Sequence, residues 1–374
     1  MRTRLTLGAV LLLAGPLSAQ GATALYTHWN ALTGFEFQRY GFKQGLGIES
    51  ASQWSLPLVV VAPLGRQMSL DITTHLAHSE VVDSAGNALS VSGLTDTQLR
   101  LLYTVGRDRA VASLSVNLPT GKRSFSAAQF GVSSSMSSNF LSFPVSSLGT
   151  SFGVTGGLAY AVPAGRWNVG FAGSVRFQGN YEPVHDSSFT LSYNPGLEGR
   201  LRVGADRVIG SRARLLLGLT YSTFSTDEFS GGAVVNGFFN PGGRIIGELG
   251  YAYNWGRTTL TLGAWDFYRM AGSANGVSTP DTKESVLNAE FRLGRQLSPK
   301  LVIEPLVGFR QWSPSGYRGG RLATFGVNGR FGLTDRLSGV ASARLGPGWV
   351  YDATRHRRAD VSATGLSVYL RYQR

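Results

Sequence analysis

Few residues in this sequence have the types and spacing that enzyme or metal chemistry needs. The string Gly149-Thr150-Ser151-Phe152-Gly153 has the spacing of a nucleophile elbow, which requires a strand, a tight turn and then a helix. Here the string opens a strand pattern instead. His75 and His78 lie three residues apart, so they face opposite sides of a strand and cannot bind one metal ion together. The sequence has no cysteine, which excludes thiolate chemistry and disulfides. We therefore expect no enzyme, no metal site and no cofactor.

Arginine is the residue type that stands out. The chain has 35 Lys+Arg against 22 Asp+Glu, a formal net charge of +13, and only four of the 35 are lysine. A guanidinium group pairs in a planar fork with carboxylates and phosphates. Because the arginines are not gathered into one stripe, a nucleic-acid partner is not supported. What the arginines do therefore depends on the elements that carry them.

Residues 1–19 have the features of a cleaved export signal. Arg2 and Arg4 precede a short apolar stretch that Pro16 ends, and the residues up to Ala19 offer a cleavage site. This stretch is too short to cross a bilayer as a helix, and the longest later apolar run, 56–64, is interrupted by two prolines. We expect an exported chain without a helical membrane span.

The rest of the chain alternates with a period of two residues, which is the period of a β-strand. Between residues 191 and 205 the odd positions are mostly apolar, whereas the even positions carry every charge. The same pattern recurs at 285–297 and 322–333. These segments are long enough to cross hydrocarbon at a tilt. The 49 glycines and the low charged fraction of 15% also favour strands over long helices.

Short and long connections alternate along the chain, as they do in an up-and-down barrel whose short turns lie in the periplasm. The connections delimit fifteen strands from residue 53 onward, and an even number requires one more strand within 33–42. We predict an all-β fold, a single transmembrane antiparallel up-and-down β-barrel of about 16 strands, with 14 or 18 as alternatives. The barrel domain should cover 35–374, and 20–34 should be periplasmic or plug the lumen.

Tryptophans provide a separate indication of where the membrane boundaries lie. Trp167 and Trp255 fall at short turns, and Trp312 and Trp349 fall at long connections, as aromatic belts would place them. Trp265 falls in the middle of a strand and does not fit this pattern.

The mature chain resembles the outer-membrane β-barrel class of bacteria, including its C-terminal strand 366–374, which alternates and ends near an aromatic residue. A narrower motif, Leu118-Pro119-Thr120-Gly121, resembles one in barrels classed as transporters of the phenol meta-degradation type. That resemblance implies uptake of small, often apolar or aromatic compounds. The alternative is a simple strand exit with a Pro-Gly turn.

The polar faces of the strands would line the lumen, and arginines outnumber carboxylates there. They either form an Arg–Glu network that braces the wall or make an electropositive pore that favours anions. The lumen-lining candidates are Arg100, Arg176, Glu198, Arg200, Arg202, Arg244, Glu248, Glu290, Arg292, Glu304, Arg310, Arg330 and Arg344.

The connection 119–150 is the longest and would be the third external loop. It carries Phe125, Phe130, Phe140 and Phe143 among many serines. Four phenylalanines in water would be unfavourable, which favours packing inside the lumen as a gate. A mobile exposed loop is the alternative.

The sequence therefore predicts an outer-membrane channel or transporter for passive uptake of small solutes, with hydrophobic or aromatic compounds slightly favoured. A structural or adhesion barrel with a blocked lumen, an anion-preferring porin and, less favoured, an envelope-lipid enzyme remain alternatives. Expected partners are outer-membrane lipids, the solute and the barrel-assembly machinery, and the oligomeric state stays open. Arg318, Arg321 and the run Arg355-His356-Arg357-Arg358 are candidates for binding lipopolysaccharide phosphates.

Overall fold

The computed structural model describes residues 29–43, 47–106, 109–186, 189–231, 234–316, 318–352 and 357–374. The predicted export signal, residues 20–28 and the pair Arg355-His356 lie outside this part of the chain. None of the described helices is long and apolar enough to cross a membrane.

Most of the described structure is β-strand, in one large sheet and one small sheet. The large sheet contains β1 (Asn30–Lys43), β2 (Ile48–Pro63), β3 (Met68–Asp83), β4 (Ala88–Leu94), β5 (Thr97–Val105), β6 (Ala110–Leu118), β7 (Gly153–Ala164), β8 (Trp167–Gln178), β11 (Glu198–Ile209), β12 (Ala213–Phe224), β15 (Arg244–Trp255), β16 (Thr258–Arg269), β19 (Glu284–Ser298), β20 (Leu301–Pro314), β21 (Gly320–Gly332), β22 (Leu337–Asp352) and β23 (Arg357–Gln373). The small sheet contains β9 (Tyr181–His185), β10 (Thr190–Asn194), β13 (Asp227–Gly231), β14 (Val234–Asn240), β17 (Gly272–Ala274) and β18 (Val277–Thr279).

The large sheet closes on itself, because β1 pairs with β23 from Asn30↔Gln373 to Lys43↔Asp360. Every neighbouring pair in the wall is antiparallel. β4 pairs with one half of β3 and β5 pairs with the other half, so these two strands share one position in the wall. The 17 strands of the sheet therefore make a barrel of 16 positions. The predicted 16-strand antiparallel up-and-down barrel is confirmed.

The two ends of the barrel differ, as alternating connections require. One end of the barrel, which we name the turn end, carries the start of β1, the end of β23 and the short turns. The short turns at Gly165 and Gly256 have positive φ angles, which suit glycine. The other, the loop end, carries the long connections. Three predicted long loops on β8, β12 and β16 contain the hairpin strands of the small sheet.

The outer face of the barrel is apolar. Leu158, Leu201 and Leu345 are 69%, 65% and 64% exposed, and many other large apolar side chains point the same way. An apolar band of this extent is stable only against lipid. The barrel is thus a membrane-spanning one.

Two tryptophans and the first strand depart from the simple pattern. Trp312, expected in an outer belt, lies on the inner face opposite Val286 and packs in the lumen. Trp265 also faces inward, in register with Glu248, which explains its position in the middle of a strand. β1 begins at Asn30, upstream of the predicted boundary at residue 35.

Candidate functional site

The connection between β6 and β7 lies inside the barrel. We name residues 119–152 the inner loop; it contains a short helix, α1 (Ala127–Met136), capped by Ser126. Tyr40 and Gln53 are on the inner face of the wall, and each is only 1% exposed. In a water-filled barrel, side chains on the inner face would be exposed to solvent. Their burial comes from the inner loop, whose residues form one apolar cluster with both wall segments around them.

Polar contacts hold the inner loop against two parts of the wall. On β2, Gln53 accepts a hydrogen bond from the Val145 backbone N–H at 2.8 Å and donates one to the Val145 carbonyl at 2.8 Å. On β20, Arg310 donates to the carbonyl oxygens of Phe140 at 2.6 Å and Leu141 at 3.1 Å. These bonds fix the backbone of the loop at separate points across the lumen.

Aromatic packing accompanies these bonds. The ring of Phe140 stacks on Trp312 at 5.8 Å, and the ring of Phe143 meets Tyr40 edge-on at 5.3 Å. Phe125 is also buried, whereas Phe130, on α1, is 40% exposed. Three of the four phenylalanines proposed for a gating loop therefore lie in the apolar cluster, and the fourth does not.

Asp96 joins the two ends of the inner loop. Its carboxylate accepts hydrogen bonds from the backbone N–H groups of Gly121 at 3.1 Å and Thr150 at 2.8 Å, and from the Asn117 side chain at 2.9 Å. A Cβ atom at Gly121 would overlap the carbonyl oxygen of Leu148. The glycine of the Leu-Pro-Thr-Gly motif is thus required by close backbone packing at the base of the loop. The strand pattern of the sequence gives no indication of this role for Asp96.

We expect Asp96→Asn to loosen the inner loop without unfolding the barrel. The amide presents an N–H₂ group to backbone N–H donors, and each hydrogen bond to a charged group contributes about 1.5–3 kcal/mol. Protease cleavage within 119–152 should become about tenfold faster, the effect of roughly 1.4 kcal/mol. The control is Asp83→Asn, since Asp83 makes similar bonds to Ala85 and Asn87 within an exposed turn. Equal cleavage of both variants and of the unchanged protein would contradict this role for Asp96.

The strand register places all thirteen lumen-lining candidates on the inner face of the wall. Most of their charges are paired. The ion pairs among them and with neighbouring carboxylates are Arg100–Asp71, Arg176–Glu198, Arg200–Glu198, Arg202–Glu248, Arg292–Glu290, Arg344–Glu290 and Arg330–Glu304. A bracing network is therefore present along much of the wall.

The inner face between β11 and β16 carries an excess of arginine, and the inner loop reaches its edge where Asn139 donates to Glu284 at 2.7 Å. Arg200, Arg244 and Arg269 lie on neighbouring strands in one register row, in which Ser222 separates the first two; we name these three the arginine row. Among the described residues, Arg244 has no carboxylate within ion-pair distance. Its guanidinium lies over the Phe224 ring at 4.5 Å, and its buried Nε atom has no hydrogen-bond partner in the part of the chain that the structure describes.

Water reaches two members of the arginine row. The side chains of Arg200 and Arg269 are 54% and 33% exposed, although both face the inside of the barrel. They pair with Glu198 at 2.6 Å and Glu284 at 2.8 Å, which leaves the charge of Arg244 as the surplus. This side of the lumen is thus accessible and positively charged.

Aromatic side chains of the small sheet are grouped near this arginine row. Tyr193 stacks on Phe229 at 4.6 Å and meets Tyr181 edge-on at 5.5 Å. The Tyr193 hydroxyl donates to the buried Asp227 carboxylate at 2.7 Å. Tyr193 lies on β10, which leads into β11 and Arg200, and Phe229 follows Phe224, the ring that Arg244 covers, so the aromatic group adjoins the strands of the arginine row at the loop end.

Burial raises the pKa of Tyr181 to about 12, and burial together with the Asp227 hydrogen bond raises that of Tyr193 further. Both groups therefore stabilise the folded small sheet below pH 10, the ordinary tyrosine pKa, and this stabilisation is lost as the pH rises through the higher values. Subtracting the ultraviolet titration of Tyr181→Phe from that of the unchanged protein should give a midpoint near pH 12. A midpoint near the ordinary value would contradict the buried environment.

The string from Gly149 to Gly153, which has the spacing of a nucleophile elbow, and the two histidines make structural contacts instead. Ser151 is 3% exposed and its hydroxyl donates to the Gly179 carbonyl, and the chain continues into β7. His75 faces the lumen opposite Pro57, while His78 lies on the other face and stacks on Trp54 at 5.8 Å. In the described part of the chain, no three His, Asp or Glu side chains form a group that could hold a metal ion.

No known protein family and no curated protein matches this sequence. Solved structures with a similar outline include a FadL homologue of Pseudomonas aeruginosa, at 10% identity and a TM-score of 0.48, covering 94% of this chain and 91% of that one. They also include the CymD monoaromatic hydrocarbon channel, at 9% identity and a TM-score of 0.45, covering 94% and 90%. A mutant of the TodX monoaromatic hydrocarbon channel has 12% identity and a TM-score of 0.46, covering 92% and 90%. At such values the functions of these proteins do not transfer to this chain.

Proposed function

We propose that this chain is an outer-membrane channel for the passive passage of small solutes, exported with a cleaved signal and oriented with its loop end outside. The observation that carries the proposal is the division of the lumen. The inner loop packs on β1 to β4 and β20 to β23, while the part-exposed side chains of Arg200 and Arg269 line the inner faces of β11 and β16. A barrel that served only as a scaffold would not need accessible charge inside. Outer-membrane lipids, the assembly machinery and the solute would be its partners.

One feature favours aromatic solutes. The aromatic group of Tyr181, Tyr193 and Phe229 stands at the loop end, on the connections that lead to the strands of the arginine row. Aromatic surfaces bind one another in offset or edge-on geometry with a gain of about 0.5–1.5 kcal/mol per pair beyond area burial. A solute with a ring would thus be retained at the mouth before passage.

An anion-preferring porin is the second candidate function, and Arg244 is the observation that favours it. Among the described residues, no carboxylate lies within ion-pair distance of the Arg244 guanidinium. Its neighbours in the arginine row are also cationic. Fixed positive charge in a narrow lumen raises the local concentration of anions. The two candidates are compatible in one channel.

Planar-bilayer recordings of the purified protein test the proposal. We expect discrete conductance steps in salt solution, with anions more permeant than cations in a salt gradient. Benzyl alcohol should reduce the current more than its saturated analogue cyclohexylmethanol, which matches it in size and hydroxyl group. An absence of steps would favour a barrel with a blocked lumen. Equal effects of the two alcohols would overturn the aromatic preference, and cation selectivity would overturn the anion preference.

A further inference from the structure

A groove on the outer face of the barrel arises where the wall pairing lapses. β21 and β22 pair at Leu322↔Gly348 and again at Phe325↔Leu345, but not in between. Pro347 lies in this gap, and proline has no N–H group to donate to a neighbouring strand. The groove above the gap has a volume of about 770 Å³.

The groove is apolar on its membrane side and cationic toward the loop end. Leu345 and Phe309 are exposed on its apolar side. Toward the loop end, Arg321 is in register with Trp349, and Trp349 is in register with Asp360, which faces Lys43 on β1. This row follows the edge of the lipid-facing band. The groove therefore matches the two parts of a lipid molecule. Its apolar part suits an acyl chain, and its charged part, nearest the loop end, suits a head group.

Its charges favour an anionic head group. Lys43, Arg321 and Arg358 contribute three positive charges to the groove, against one carboxylate, Asp360. Arg358 lies 3.7 Å from Asp360 and over the Trp349 ring at 5.1 Å, which holds its guanidinium at the groove. Arginine binds phosphate oxygens through paired hydrogen bonds, and lysine binds them as a point charge. The groove thus has a surplus of two positive charges, which favours binding of an anionic lipid head group.

We propose that this groove binds the phosphorylated glucosamine head group of lipopolysaccharide in the outer leaflet, with an acyl chain along Leu345 and Phe309. The loop end faces that leaflet in the proposed orientation, and lipopolysaccharide is the lipid that carries phosphates on a sugar head group there. The inference rests on the proposed outer-membrane location. It is independent of whether the lumen conducts, because lipid binding is measured on the outer wall in detergent.

Binding of purified bisphosphorylated lipid A to the full barrel, followed by native mass spectrometry in the presence of a chelator, tests the proposal. The variant Lys43→Gln/Arg321→Gln/Arg358→Gln should bind about 100-fold more weakly, because each of the three cations contributes about 1 kcal/mol near a charged lipid surface and about 1.4 kcal/mol is a tenfold change. The control Arg66→Gln/Arg166→Gln/Arg257→Gln removes the same charge from exposed short turns at the turn end and should bind normally. Equal binding by the groove variant, or equal loss in the control, would overturn the proposal.

The binding of different lipids to the unchanged protein can also be compared. This comparison needs no variant, so it tests the lipid A site even if the triple variant does not fold. Enzymatically dephosphorylated lipid A has the same acyl chains and should bind about tenfold more weakly. Phosphatidylglycerol, which has a phosphate but no glucosamine, should also bind more weakly than lipid A. Equal binding of lipid A with and without phosphates would overturn the proposal, and equal binding of phosphatidylglycerol would replace it with a general anionic-lipid site.

Discussion

Removal of residues 124–146 is expected to raise the single-channel conductance of the barrel by roughly two- to threefold, because a 16-strand barrel without an internal segment holds an aqueous channel. The inner loop packs against inner-face residues of β1 to β4 and β20 to β23, among them Tyr40, Val81 and Leu322. Its deletion would open that region to water. The measurement is the conductance of the reconstituted variant in salt solution, after its heat-modifiable migration in electrophoresis confirms that it is folded.

The control for this deletion shortens the β17–β18 hairpin by removing 274–277, which lies in the small sheet at the loop end. That change removes an external segment and leaves the contacts of Gln53 and Arg310 with the inner loop intact. We expect its conductance to equal that of the unchanged protein. An unchanged conductance after deletion of 124–146 would show that the inner loop does not limit the current.

Charge reversal in the arginine row should change the ion selectivity of the channel. In Arg200→Glu/Arg244→Glu, two positive charges of the arginine row become negative, while Arg176 still lies near Glu198. A unit charge about 4 Å from an ion changes its free energy by about 1 kcal/mol even in bulk water, so the anion-to-cation permeability ratio should fall by at least about fivefold. The reversal potential in a salt gradient measures this ratio.

A matched variant separates this effect from overall charge. Arg166→Glu/Arg257→Glu makes the same change at exposed short turns of the turn end, outside the arginine row. We expect it to shift the reversal potential far less, because solution ions screen exposed charges beyond about 10 Å at moderate salt. Equal shifts in the two variants would contradict a selective role for the arginine row.

Strand periodicity predicts the barrel well because each wall residue faces either lipid or the lumen, and the sequence records that alternation directly. The exceptions have a local cause. Tyr40 and Phe42 disturb the apolar pattern of β1, since they face inward yet pack on the inner loop instead of meeting water. Trp312 is a second case of the same kind. An apolar residue on the inner face thus indicates contact with an internal segment.

Contacts between distant parts of the chain could not be predicted in this way. Arg310 binds the Phe140 carbonyl across 170 positions, and no local pattern encodes that approach. Asp96 looks like any polar wall residue until the two ends of the inner loop meet at its carboxylate. The pairing of the lumen arginines depends on strand register, which single-strand periodicity leaves open. For that reason the sequence indicated a charged lumen but not that Arg244 lacks a carboxylate partner among the described residues.

We propose that solutes pass through the lumen beside the inner loop and along the arginine row. Liposome swelling with neutral sugars of graded size tests it most directly, when the unchanged protein and the variant lacking 124–146 are compared in the same vesicles. We expect the unchanged protein to admit only the smallest sugars and the variant to admit larger ones at a higher rate. If neither protein admits any solute, or if both have the same size limit, the inner loop does not define a solute path through this barrel.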